Sequence, residues 1–325
     1  MTRVLVSGAS GIVGYGILRA LRQARPECFL VGTSIYDDSV APAFCDVFEQ
    51  APRTDDPGYL EWLMTTLKKH QINMLMPGIE ADMYHWTQHA TDIRAAGSMP
   101  LLNHPDLTAL CEDKWAFFQH LKAAGIACAI DSALEDDFDI LSQKFGMPLL
   151  LKPRKGFGSK GIVRASTREA FAPHKAQIGV HLMVQPLVGT DEEEFTISAF
   201  CDAKGGYFAA MGLRRKLSRD GFTDKAEVID ITPFEASMQA LCQLFRPVGP
   251  TNFQFRVGAG GPKLLEINPR ISSATSIRTA FGYNESAMAL GFFLDGQIPT
   301  QPLIRSGRAV RYIDEHVFYE DSIHL

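Results

Sequence analysis

The first hundred residues alternate short apolar runs with amphipathic stretches. Residues 3–7 read as a strand, Gly8 to Gly14 as a glycine turn, and 17–22 as a helix with Leu18 and Leu21 on one face. A second apolar strand follows at 29–33, an amphipathic helix at 56–70, a third strand at 74–77 and another helix at 83–96. Strands alternating with helices predict a parallel α/β unit. It ends near Asn103-His104-Pro105, beyond which 107–124 reads as one helix closed by Gly125.

From about residue 126 the pattern changes. Strands at 148–152 and 161–165 flank a glycine-rich loop. Beyond Val184 the strands lengthen and become hairpin-like, at 194–201, 207–213, 252–257 and 263–268, with helices at 235–245 and 284–294. This stretch predicts a mostly antiparallel sheet. No internal repeat and no low-complexity segment interrupts the chain.

Composition narrows the class. The 325 residues suffice for about two or three packed units, and 46% apolar with 21% charged residues is ordinary globular usage. Thirty-two Lys plus Arg against 37 Asp plus Glu leave a net charge of -5, a field that repels nucleic acid and anionic membranes. Neither is an expected partner. The six cysteines form no C-x-x-C pair, which fits free thiols in a reducing compartment. With no leader pattern and no apolar stretch of about 18 residues, a cytoplasmic protein is expected.

Two glycine loops invite phosphate. Gly8-x-x-Gly11-x-x-Gly14 sits between strand and helix, where a phosphate can approach a helix N-terminus, and Asp37 or Asp38 stands where a ribose-binding acid would. The alternative is that these glycines only permit tight packing. A short-chain reductase would also need a Tyr-x-x-x-Lys pair, and no Lys here has Tyr four positions before it. The second loop, Gly156 to Gly161, lies between two strands. Its glycines and the cations Lys152, Arg154, Lys155 and Lys160 suit a triphosphate, or else form a solvated basic turn.

The densest chemistry lies at 252–270. Two strands flank a glycine-rich turn, and a turn centred on Gly260 pairs Gln254 with Glu266 and Asn252 with Asn268. Alternation then places Glu266, Asn268 and Arg270 on one face, with Leu265 and Ile267 on the other. One carboxylate with a few amide oxygens suits Mg2+ shared with nucleotide phosphates, and Arg270 suits a transferring phosphoryl group.

Taken together, these motifs resemble the ATP-grasp superfamily, and most closely the enzymes similar to the carbamoyl-phosphate synthase large subunit. The resemblance covers nearly the whole chain and is most specific in the run Leu265-Glu-Ile-Asn-Pro-Arg270. It implies an α/β plus α+β architecture in three parts. These are a Rossmann-like parallel-sheet domain over 1–106, a lid with its linking helix over 107–185, and a mostly antiparallel catalytic sheet over 186–325. Lys114, after Asp113, and Lys152 match the ATP-phosphate lysines. Gly156, Gly158, Ser159, Lys160 and Gly161 match the lid loop, and Gln185, Pro186 and Leu187 match the adenine segment. Glu194 matches the acid near the ribose. Gln254, Glu266 and Asn268 match the metal positions, and Arg270 the arginine that steadies the phosphoryl group. Two positions depart from the pattern. Pro186 removes an N–H where an acidic residue is common, and Gln254 replaces a carboxylate used by many members.

The implied activity is an ADP-forming ligase that activates a carboxylate as an acyl phosphate and joins it to an amine, using ATP with Mg2+ or Mn2+. Its partners are two small molecules, and the resemblance admits a homodimer. Arg214, Arg215 and Lys216, followed by Arg219, read as a basic loop that could hold a substrate carboxylate, with Arg215 singled out, or as a surface loop. Ser272, Ser273 and Thr275 could orient substrate or start a helix. Glu80 and Asp82 follow a strand end and read as ligand groups or, by preference, as caps of the next helix. His85 and His89 lack a third metal ligand and read as helix-surface residues. Two rivals remain, an NAD(P)-dependent reductase built on the first glycine loop and a nucleotide-binding protein without turnover.

Overall fold

In the computed structural model the described residues are 1–156, 161–219, 221–258 and 260–319. The N-terminal apolar runs become β1 (Arg3–Val6), β2 (Phe29–Ser34), β3 (Val47–Gln50), β4 (Met74–Met76) and β5 (Met99–Pro100), a parallel sheet in the order β3-β2-β1-β4-β5. Val4 and Val6 point to the side of α1 (Ile12–Ala24), whereas Leu5 points to α2 (Tyr59–His70). Helices cover both faces, which is why the strands read as unbroken apolar runs.

Two expected helices are divided. The one expected at 83–96 begins at Glu80 and breaks at His89, giving α3 (Glu80–Gln88) and α4 (Ala90–Ala95). The one expected at 107–124 becomes α5 (Pro105–Glu112) and α6 (Lys114–Ala123). Asp113 causes the second break, because its Oδ1 accepts the N–H groups of Trp115 and Ala116 at 2.9 and 3.3 Å and so starts a new helix. Gly125 ends α6 with φ +68.

A small unit follows, with α7 (Phe138–Phe145), β6 (Leu149–Pro153), β7 (Val163–Ala165), α8 (Arg168–Phe171) and β8 (Leu182–Pro186). Its strands form an antiparallel sheet, β7-β6-β8, closed by Leu141, Leu149, Leu151, Phe171 and Val184.

The last unit contains β9 (Glu194–Asp202), β10 (Tyr207–Leu217), β11 (Thr223–Ile229), α9 (Glu235–Phe245), β12 (Val248–Gly258), β13 (Gly261–Asn268), α10 (Thr275–Ala280), α11 (Glu285–Phe293) and β14 (Arg308–Val310). The strands form a six-stranded antiparallel sheet, β13-β12-β9-β10-β11-β14. Its core joins that of the first unit. Ile17, Leu18 and Leu21 of α1 share one apolar cluster with Ile271, Ala289 and Leu290. A Cβ on Gly16 would lie 2.9 Å from Thr275 Cγ2, so the glycine lets α1 approach α10.

Two expectations about this sheet change. Arg214, Arg215 and Lys216 stand inside β10, because the strand continues past residue 213 to pair with β11, so they form no basic loop. On β13 the pairs Asn252 with Asn268 and Gln254 with Glu266 form as expected, but the register then shifts so that Phe255 pairs with Leu264. Leu265 is the extra, bulged residue. Leu264 and Ile267 therefore enter the core, at 0% and 4% exposure, Leu265 borders both cavities together with Glu266, and Ile267 borders the smaller one.

Candidate nucleotide and phosphoryl-transfer site

Two cavities meet between the small sheet and the six-stranded sheet. The larger, of about 520 Å³, runs from β6 and β8 to the face of β9, β10 and β12. Its lining mixes the apolar side chains of Ile130, Leu150, Ile162, Leu187, Val188 and Leu217 with charged and polar ones, among them Lys114, Lys152, Arg164, Glu194, Arg256 and Glu266. The smaller, of about 280 Å³, lies between α3, α5, α6 and β13. Lys114, Gly156, Leu265 and Glu266 border both.

Lys152 ends the apolar run of β6 and is 8% exposed. Burial lowers its pKa to about 8, partly offset by the nearby carboxylate of Glu266. Lys114, the first residue of α6, donates to the Gly156 carbonyl. Of the other cations expected to balance a triphosphate, Arg154 is turned away to Asp113 at 2.6 Å and Lys155 pairs with Glu112 at 2.9 Å. Gly156 has φ +107, a backbone geometry that favours glycine, and Gly161 precedes β7 outside both cavities. The expected lid residues Gly158, Ser159 and Lys160 lie outside the described residues.

Period-two alternation brings the sheet groups together. Gln254 pairs across strands with Glu266 and Thr196, and Arg256 with Glu194. Glu194, only 5% exposed, accepts from Arg215 at 2.8 and 3.1 Å and from Arg256 at 3.1 Å. Arg215 also donates to Gln254 Oε1 at 2.6 Å and to Thr223. Its guanidinium is therefore engaged by protein groups, which speaks against the expected substrate-holding role. Arg214 is exposed and pairs with Glu227, and Lys216 alone of the three borders the larger cavity. Sequence reasoning passed over Arg256, although standing two residues beyond Gln254 on one strand was signal enough.

At the far end of β13, Asn268 Nδ2 donates to Glu266 Oε1 at 3.0 Å, and Arg270 donates to Asn268 Oδ1 at 3.3 Å. Arg270 also pairs with Glu80 of α3. Glu80 and Asp82 therefore cap nothing. The N-cap is Ile79, while Asp82 is buried and accepts from Thr54 and Tyr59 at 2.6 and 2.8 Å. No local spacing announces a partner 190 residues away. Pro186 and Leu187 border the larger cavity, whereas the Gln185 side chain is buried and donates to Ser132 at 2.8 Å.

The remaining candidates fall outside this site. Ser272 accepts from Arg278 at 2.6 Å and Thr275 begins α10. The His85 and His89 rings lie 4.7 Å apart, and no group of three His, Cys, Asp or Glu suited to a metal occurs among the described residues. Neither cavity touches Gly8 to Gly14, and Asp37 and Asp38 are exposed in the loop after β2.

Comparison with known proteins places this geometry. Residues 180–316 match the family described as ATP-grasp in the biosynthetic pathway with Ter operon. A probable alpha-L-glutamate ligase from Hahella chejuensis is 26% identical over 233 residues, covering 68% of this chain and 75% of that protein. N5-carboxyaminoimidazole synthetase from Staphylococcus aureus superposes with a TM-score of 0.72 at 16% identity, over 93% of this chain and 80% of its own. The biotin carboxylase domain of Hydrogenobacter thermophilus 2-oxoglutarate carboxylase, solved with MgADP, ADP and bicarbonate, gives 0.71 at 16% identity, over 94% and 73%. The chain is thus similar to ATP-grasp proteins in the sequence of residues 180–316, and it shares its fold with the synthetase. Its matched relative is a ligase, and the Ter-operon biosynthetic match falls on the six-stranded sheet that carries Gln254, Glu266, Asn268 and Arg270.

Proposed function

We propose that this chain is an ATP-grasp protein, an ATP-dependent, ADP-forming ligase that activates a substrate carboxylate as an acyl phosphate and joins it to an amine. The observation that carries the reading is that Lys114 and Glu266 border both cavities, so a nucleotide in the larger one would end in phosphates where the smaller one opens. The apolar side chains of Leu150, Ile162 and Leu187 on its lining suit a base, to which Pro186 contributes no N–H. Lys114 and Lys152 suit the phosphates, and Glu194 a ribose hydroxyl.

The donor set fits a divalent ion. Glu266 has one carboxylate oxygen bonded to Asn268, while the other makes no hydrogen bond among the described residues. Gln254 Oε1 is shared with Arg215 and Asn268 Oδ1 with Arg270, so Glu266 would be the main ligand and the two amide oxygens accessory ones. Few hard oxygens with phosphates completing the shell suit Mg2+, with Mn2+ as a substitute. Such an ion, when bound, offsets phosphate charge.

A carboxylate oxygen of the substrate attacks the terminal phosphorus, the bond to ADP breaks, and an acyl phosphate forms. The amine nitrogen then attacks the acyl carbon, phosphate leaves, and the nitrogen loses a proton to give the amide. Lys114, Lys152 and Arg270 supply positive charge where negative charge develops. Arg270 must exchange its Glu80 partner for the transferring group. No side-chain nucleophile is required.

We assign the three units the roles of N-terminal domain (1–106), lid (107–185) and catalytic domain (186–325). Six free cysteines suit a reducing, cytoplasmic setting, and no helix among the described residues is long and apolar enough to cross a membrane. A homodimer is the proposed assembly.

Two measurements test the reading. Mg-ATP raises the melting midpoint, and chelator removes most of the rise. Glu266→Ala lowers ADP release by roughly 100-fold or more while melting within a few degrees of the parent. Unchanged turnover in that variant refutes the metal assignment, and a midpoint moved by NADH but not by Mg-ATP refutes the ligase.

A further inference from the structure

We propose that the smaller cavity selects, as the carboxylate to be activated, a monocarboxylate with an apolar body about the size of a phenyl ring. The inference rests on the ligase reading and adds the substrate class.

The cavity is open to the nucleotide side at Lys114 and Glu266, so a molecule lying in it presents one end to the phosphates. Much of its wall is apolar. Met83, Phe117, Phe118 and Ile267 are each at most 4% exposed, and Tyr84 and Cys111 also line it. These side chains come from α3, α5, α6 and β13, so the pocket exists only where all three units meet.

The charged groups on its wall are engaged with each other. Glu80 pairs with Arg270, both mostly buried, and the more exposed Glu112 pairs with Lys155 at 2.9 Å. Among the described residues the only other charges on the lining are Lys114 and Glu266, at the junction. A carboxylate at the junction meets Lys114, with Arg270 one residue beyond the lining. A second carboxylate on the same molecule would meet apolar side chains or the lining carboxylates Glu80 and Glu112, and would lose its hydration without compensation. Dicarboxylates are thus excluded by charge. Size agrees, since an apolar cavity of ~150 Å³ accepts benzene, and about 280 Å³ leaves room for a ring and a short arm bearing the carboxylate.

The test is calorimetric titration of the full chain, preloaded with Mg-ADP, using benzoate, phenylacetate, 3-phenylpropanoate and hexanoate against succinate and glutarate. None of the six carries an amine, so binding reports the carboxylate site. At least one of the four monocarboxylates is expected to bind tenfold or more tightly than either dicarboxylate. Cys111→Trp, which fills the cavity, is expected to weaken that binding at least tenfold while the Mg-ADP melting shift is kept. Tyr84→Arg, which places a cation on the wall, is expected to let glutarate bind. Equal or tighter dicarboxylate binding, or no response to any monocarboxylate while the Mg-ADP shift is intact, overturns the inference. Loss of the Mg-ADP shift in the parent protein overturns the ligase reading instead, and the substrate class with it.

Discussion

Lys152 carries a stability term beside its proposed role in holding phosphate. Its ammonium sits where β6 reaches the larger cavity, and burial lowers its pKa from an ordinary 10.5 to about 8. Below about pH 8 it is protonated folded and unfolded, so the burial penalty is fully present. Between about 8 and 10.5 the unfolded chain binds more protons, and the group's contribution to stability rises with pH. Lys152→Met should therefore raise the melting midpoint of the nucleotide-free protein at pH 7, by on the order of 1 kcal/mol. The gain should shrink as pH rises through that window, and the variant should lose the Mg-ATP shift. In the parent, Mg-ATP affinity measured by calorimetry should fall as pH rises past about 8, because only the cation attracts phosphate. A Lys at the end of an apolar strand is visible in the sequence. Its burial beneath Glu266 is not, since that depends on a strand more than 100 residues away.

At the scale of elements, the first glycine loop is a packing device. A Cβ on Gly14 would stand 2.2 Å from the Gly8 carbonyl oxygen, and one on Gly78 would stand 2.0 Å from the Ser7 carbonyl and 2.9 Å from Gly14 Cα. The β1–α1 turn and the β4–α3 connection thus touch backbone to backbone. Gly14→Ala and Gly78→Ala should each lower stability by roughly 2 kcal/mol or more in urea titrations, as large backbone clashes do. Gly11→Ala, which meets only the Gly8 carbonyl at 3.3 Å, should lose less than about 1 kcal/mol, close to the effect of an ordinary surface change. The spacing of Gly8, Gly11 and Gly14 reads equally as a cofactor loop or a close contact. The sequence leaves both open because the segment that crowds the loop, Gly78 and Ile79, lies in the connection after a later strand, β4. The division of the 107–124 helix was more legible, for Asp113 is a capping residue standing directly before Lys114.

At the scale of the whole molecule, a buried polar network ties the first and last units together beneath the sheet face that borders the larger cavity. Arg278 of α10 is fully buried and donates to Ser272 at 2.6 Å, to Asn252 at 2.9 Å and to Thr196 at 3.0 Å. Glu285 of α11, also fully buried, lies 3.8 Å from Arg278 and accepts from Ser198. Asn252 and Thr196 flank Gln254 in the sheet, so the network fixes the helix layer, and through α1 the first unit, against the strands that carry the site. Glu285→Ala leaves a guanidinium unpaired in the interior and should lower stability by about 3–5 kcal/mol. The double replacement Arg278→Met with Glu285→Leu should recover much of that loss. Chemical denaturation of the three variants measures both effects, and equal losses in single and double variants would remove the ion pair as their cause.

The alternation of apolar runs and amphipathic stretches determined the parallel first unit, and the longer hairpin strands determined the antiparallel sheet. The 252–270 hairpin placed Gln254, Glu266 and Asn268 on one face because strand periodicity and turn position are local properties. Tertiary structure alone decided which charges stay available. Arg215 is taken by Glu194 and Gln254, Arg270 by Glu80, and Lys155 by Glu112, in pairs separated by 21 to 190 residues. It also decided the bulge that turns Leu265 toward the cavities and the apolar chamber between α3, α5, α6 and β13. Ion pairing and cavity shape depend on distances between elements far apart in the chain, and those distances are set only when the layers pack.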